Sequence, residues 1–118
     1  MNTFEALGIE EGLLQSIKIL GFTEPTPIQE KAIPVLLQGT KDFIGLAQTG
    51  TGKTAAFGLP LLQLIKKEDR FPQALIVCPT RELCLQITSD LEKFKSKKIN
   101  VSVTAVYAVL LSVCRSVI

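Results

Sequence analysis

A run near the middle of this sequence, Ala47-Gln48-Thr49-Gly50-Thr51-Gly52-Lys53-Thr54, has the residue types and spacing to hold a chain of phosphates. It follows the pattern G-x-x-x-x-G-K-[ST], with alanine in place of the first glycine. Gly50 and Gly52 let the backbone turn so that successive N–H groups face one concavity and bind phosphate oxygens. The helix expected to follow adds its positive dipole end. In that arrangement Lys53 bridges the β- and γ-phosphates and the Thr54 hydroxyl ligates Mg²⁺. The bland alternative is a flexible loop that happens to carry glycines and a lysine. Its place between an expected strand and an expected helix argues for the phosphate loop.

Two further stretches carry chemistry. In Gly21-Phe22-Thr23-Glu24-Pro25-Thr26-Pro27-Ile28-Gln29, Gln29 has two readings. It can close a capping box with Thr26, or offer its amide donor and acceptor side by side to the N6/N7 edge of adenine. The second stretch is Pro79-Thr80-Arg81-Glu82-Leu83. As plain structure, Thr80 caps a helix whose first turn is charged. As a site, Thr80, Arg81 and the helix-start amides face a nucleic-acid backbone phosphate. The cations Lys93, Lys95, Lys97 and Lys98 read better as a solvated helix end that meets its dipole. Phe4 is open to two readings, a core residue or a stacking platform.

The elements that must position these residues follow from apolar spacing. Leu13, Leu14, Ile17 and Leu20 recur at helical intervals, with Gly21 as a stop. A second helix starts with Thr26 as N-cap and Pro27 at the first position, and buries Ile28, Ala32, Val35 and Leu36, with Pro34 bending it. A strand over 41–46 leads into the phosphate loop, and a third helix runs from Lys53 to about Lys66, kinked near Pro60. Ala74-Leu75-Ile76-Val77-Cys78 is a continuous apolar run of the kind found in buried parallel strands. A fourth helix extends from Thr80 to about Lys95, with Leu83, Ile87, Leu91 and Phe94 on one face. Val101 to Val106 alternates as a last strand. Strand and helix in alternation predict an α/β fold with a mostly parallel sheet flanked by helices.

Composition is consistent with that class. The 118 residues fit one small domain, 47% hydrophobic and 20% charged, which argues against disorder. The net charge of +2 and pI near 8.5 neither demand nor exclude a nucleic-acid partner. Cys78, Cys84 and Cys114 form no C-x-x-C pair and the chain has no histidine, so no zinc site is expected. The odd count reads as reduced thiols. The N-terminus shows no secretory signal. The most apolar stretch, Ala105 to Val113, is far shorter than the roughly 20 residues that span a bilayer. A cytoplasmic address and no membrane partner are expected.

Taken together these motifs resemble the DEAD-box ATP-dependent RNA helicases. Phe4 with GFTEPTPIQ is similar to the family's Q motif and its upstream aromatic. AQTGTGKT is similar to motif I, alanine included, and PTREL, with Gln86 beyond it, to motif Ia. The order and spacing agree over Met1 to about Tyr107. DEAH-type helicases generally lack the Q motif, and kinases, transporters and GTPases share only the phosphate loop. The resemblance implies an incomplete RecA-like P-loop fold, with residues 1–107 as the N-terminal part of an ATP-binding domain. It implies that ATP is gripped by Phe4, Thr26, Gln29 and the loop Gln48, Thr49, Gly50, Thr51, Gly52, Lys53 and Thr54. Mg²⁺ would sit at Thr54, and RNA backbone near Pro79, Thr80 and Arg81.

The family's Asp-Glu-Ala-Asp and Ser-Ala-Thr motifs do not occur in these residues, nor does a second domain. Hydrolysis needs carboxylates for metal and water and a cation on the developing charge, so ATP binding without hydrolysis is expected. After Tyr107 the family usually carries a glycine pair. Residues 108–118 instead read AVLLSVCRSVI, an atypical tail. A shifted reading frame or foreign tail is one account of it, and a genuine but unusual last strand is the other. Ala105 to Val113, uncharged and β-prone, is an aggregation hazard if left unpaired.

Overall fold

The computed structural model describes residues 3–48, 50, 52–66, 68–95 and 101–107, and four helices carry the architecture. Helix α1 (Glu11–Ile19) buries Leu13 and Ile17, and Gly21 follows it with a left-handed φ of 86°. Helix α2 (Pro27–Gln38) begins as its sequence requires. Thr26 and Gln29 close a capping box, Pro27 takes the first position, and Gly39 ends the helix in the left-handed conformation. Its helical assignment runs unbroken through Pro34. Helix α3 (Lys53–Leu64) likewise continues through Pro60, and helix α4 (Arg81–Phe94) is capped by Thr80, whose hydroxyl oxygen accepts from the Leu83 N–H at 3.2 Å.

Helix α3 is the hub. It packs against α2 on one side and α4 on the other, while α1 rests on α4. Its buried positions surround the helix: Ala55, Ala56, Gly58, Leu59, Pro60 and Leu62. Gly58 permits the close approach to α4, since a methyl group there would come 2.8 Å from Leu91 Cδ2. Phe22 joins the layers edge-on, 6.3 Å from Phe4 and 5.8 Å from Phe94 between ring centres. Gln63 fastens the entry to α1: it donates to the Gly8 carbonyl at 2.8 Å and accepts from the Glu10 N–H at 3.0 Å.

The expected sheet is not formed as a ladder among the described residues. No strand is assigned among the described residues, and no backbone hydrogen bond among them joins 41–48, 73–79 and 101–107. These segments instead lie on the helices by one side only. Ala74, Ile76 and Cys78 are partly buried, while Leu75 and Val77 are 70% and 84% exposed. Ile44 and Leu46 point outward in the same way. A continuous apolar run implies cover on both faces, and the described helices cover one. The alternation expected of Val101 to Val106 survives over 101–105 as alternating burial without a ladder.

The buried face of α2 also differs from expectation. Gln29, Ala32 and Ile33 are buried, whereas Ile28, Val35 and Leu36 are only partly so. A glutamine at the centre of that face is possible because its amide is hydrogen-bonded at both ends. On α4 the buried residues are Cys84, Ile87, Leu91 and Phe94, with Leu83 half-buried. The end of α4 is tied down by Lys95, which pairs with Glu92 at 2.8 Å and donates to the Val101 carbonyl at 2.7 Å. Lys97, Lys98 and the tail 108–118 lie outside the described residues, as do Thr49 and Thr51.

Candidate functional site

The phosphate loop enters α3 through two left-handed glycines, Gly50 at φ 81° and Gly52 at φ 79°. Gly52 is the N-cap, and with no side chain it leaves the first α3 amides without a side-chain acceptor. Those amides and the helix dipole make a concavity for an anion. Lys53 is exposed at the first helical position, and Thr54 is half-buried beside it. Both line a groove of about 790 Å³ that runs from Gly50 and Gly52 past Cys78 to Gln86 on α4. The loop and the body of α4 from Leu83 onward therefore face one groove, which Pro79, Thr80 and Arg81 do not line.

Gln29 joins the segment before α2 to this loop. It is 0% exposed, so every polar atom on it needs a partner. Its carbonyl oxygen accepts from the Thr26 N–H at 3.0 Å, and its amide nitrogen donates to the Gly52 carbonyl at 3.1 Å. The Gly52 carbonyl also accepts from the Ala56 N–H at 3.1 Å, the first turn of α3. A Cβ at Gly52 would collide with the Gln29 amide nitrogen. Glycine is thus required there twice, by φ and by contact. The capping box is the arrangement seen, and each end of the amide keeps one further hydrogen-bonding position.

Phe4 is a core residue here, 4% exposed and edge-on to Phe22. Its ring is not offered to solvent as a platform, because the apolar neighbours that α1 and Phe22 provide enclose it. Gln48 is exposed before the loop.

At the second site Pro79, Thr80 and Arg81 are all exposed at the start of α4. The Arg81 guanidinium lies over the Tyr107 ring, 4.5 Å from its centre, and the Cys84 thiol donates to the Val106 carbonyl at 3.8 Å. Sequence reasoning missed both contacts. It also missed Gln63, although a single polar residue in the apolar run from Ala55 to Ile65 had to be either exposed or partnered. Cys78 and Cys84 are free thiols, as expected. The Cys78 thiol is pushed above its ordinary value, by loss of solvent first and then by the neighbouring Cys84 thiol. Among the described residues no cluster of three His, Cys, Asp or Glu could hold a metal, and no helix is long and apolar enough to cross a membrane.

With this geometry in view, the comparisons with known proteins agree with one another. Residues 26–111 match the family model of the DEAD/DEAH box helicases. The ATP-dependent RNA helicase CshA of Listeria monocytogenes is 51% identical over 107 residues, 91% of this chain and 20% of that protein. The chain spans about a fifth of the length of the curated relatives it matches. Among solved structures, a DEAD box protein from Methanococcus jannaschii superposes with a TM-score of 0.77 at 38% identity, over 81% of this chain and 26% of that one. Saccharomyces cerevisiae Dbp5, bound to RNA and ADP BeF3, gives 0.75 at 39%, over 80% and 24%. The fold over four fifths of the chain is thus similar to that of solved DEAD box proteins, and the chain belongs to the DEAD/DEAH box helicase family.

Proposed function

We propose that this chain is the nucleotide-gripping front of the first RecA-like domain of an ATP-dependent RNA helicase. The observation that carries the reading is the buried Gln29 amide, which ties the segment assigned to adenine directly to the loop assigned to phosphate. Nucleotide would enter where α3 begins, its phosphates on the amides after Gly52 and on Lys53. The Gly52 carbonyl holds one N–H of the Gln29 amide and the other would serve adenine, so base and phosphate recognition would share one side chain. Phe4 supports this segment from the core.

The residues fit a magnesium nucleotide in one respect: Thr54 lines the groove next to Lys53. Mg²⁺ keeps several waters and takes few protein ligands beside substrate phosphates, so a single hydroxyl suits it. Bound there, the ion would neutralise phosphate charge. RNA backbone would meet Pro79, Thr80 and Arg81. With no Asp-Glu-Ala-Asp stretch in the sequence, the chain binds ATP and does not hydrolyse it. A cytoplasmic address goes with this reading.

Titration calorimetry of the purified chain with ATP and with GTP, each with Mg²⁺, is the test. ATP is expected to bind, GTP to bind at least about tenfold more weakly for want of the adenine edge, and Lys53→Ala to bind neither. Equal affinities would remove Gln29 from base recognition. Phosphate release that Lys53→Ala abolishes would overturn the non-hydrolytic assignment. A second reading, a product without function of its own, is favoured by the outward-facing Ile44, Leu46, Leu75 and Val77. Insolubility of the purified chain would carry it.

A further inference from the structure

The first turn of α4 holds the segment 106–107 at two points. Cys84, buried, donates its thiol to the Val106 carbonyl, and Arg81, exposed, covers the ring of half-buried Tyr107. Positions three apart on a helix share a face, so one turn fixes both the backbone and the ring beside it.

A guanidinium has a face and an edge. Its N–H donors lie in the plane, in a fork that matches two oxygens of a phosphate. Arg81 Cζ lies over the Tyr107 ring, 4.5 Å from its centre. A carboxylate partner would occupy the fork instead, and among the described residues the ion pair seen is Lys95 with Glu92, away from Arg81. The N–H groups that open α4 point the same way as any helix start. We propose that Tyr107 is a positioning residue: its ring holds Arg81 by the face so that the guanidinium edge meets a backbone phosphate of single-stranded RNA. This rests on the reading of PTREL as an RNA-backbone contact. The ring pre-orders a long side chain that would otherwise lose its freedom only on binding.

The chain supplies its own reporter, since Tyr107 is its single tyrosine and it has no tryptophan. The 118-residue protein and its variants Arg81→Ala, Tyr107→Leu and Tyr107→Phe would be titrated with a short oligouridylate across a salt series. Tyr107→Leu is expected to weaken binding by about two- to fivefold. It should also lower the slope of log affinity against log salt by about 0.7, one phosphate on a single strand. Tyr107→Phe keeps the ring and should match the parent in both. If Tyr107→Leu binds like the parent while Arg81→Ala binds weakly, Tyr107 does not position the arginine. If Arg81→Ala itself changes neither affinity nor slope, the PTREL reading fails and the proposal falls with it. Should Tyr107→Leu not fold, tyrosine emission without RNA decides. A spectrum altered by Arg81→Ala supports the ring contact, and an unaltered one overturns it.

Discussion

Two helices in this protein begin at a motif, and they begin in opposite ways. Helix α3 starts from a left-handed glycine with no cap of its own, and the Gly52 carbonyl is held by Gln29 from 23 residues away. Helix α4 starts from an extended threonine whose hydroxyl accepts from Leu83, three residues on. The α4 start is local and would form in any chain with that sequence. The α3 start depends on a contact that exists only once the chain has folded. The difference separates two uses of a helix N-terminus. At α3 the first amides stay open to an anion, and a buried residue supplies the order that a cap would have given. At α4 a cap supplies the order, and an exposed arginine supplies the charge.

If that contrast is right, damage at the α3 start should spread through the molecule. Gly52→Ala places a Cβ on the Gln29 amide and forces an L-residue into φ 79°. The left-handed backbone costs about 1–2 kcal/mol, and displacing a buried, hydrogen-bonded amide about 1–3 kcal/mol more. A loss of about 3 kcal/mol is expected in urea unfolding, together with loss of ATP binding. Gln29→Ala comes next, at about 2 kcal/mol, because it orphans the Thr26 N–H and empties a buried position. An urea midpoint unchanged by either variant would show that the start of α3 stands without Gln29.

Thr80→Ala is the matching change at α4. It removes one cap hydrogen bond on an exposed residue, which typically costs about 1 kcal/mol. The loss should appear in the urea midpoint with no change in ATP affinity. A drop in ATP affinity would mean that the two helix starts are coupled and do not act separately.

How far the sequence disclosed this follows from the range of each interaction. The capping box at Thr26 and Gln29, the proline at position one, the Thr80 cap and the glycine turns are all encoded within four residues, and all were legible. The turn through Gly50 and Gly52 into α3 was legible because its pattern is itself local. The Gln29 contact to Gly52, the Gln63 clamp on Gly8 and Glu10, and the Arg81–Tyr107 stack join distant residues, and no local pattern announces them. The strands fall in the same class. Their apolar spacing was readable, but a ladder depends on neighbours that spacing does not supply, and the segments bury one side alone. Phe4 shows the converse: an aromatic that local sequence leaves undecided is settled by Phe22 packing against it.

The smallest stability effects belong to the two exposed cations, and there the contrast is sharpest in function. Lys53 and Arg81 each stand in the first turn of their helix with the side chain in solvent, where a cation meets the positive dipole end unfavourably. Replacing either by alanine should therefore shift stability by no more than about 0.5 kcal/mol, and the sign can favour the variant. Their ligand effects should part completely. Lys53→Ala is expected to lose ATP and keep oligouridylate affinity within about twofold, while Arg81→Ala does the reverse, losing about one phosphate contact from the salt dependence. Calorimetry with ATP and a salt-series titration with the oligonucleotide, run on both variants, read this directly. If each variant impairs both ligands equally, the two helix starts form a single anion site.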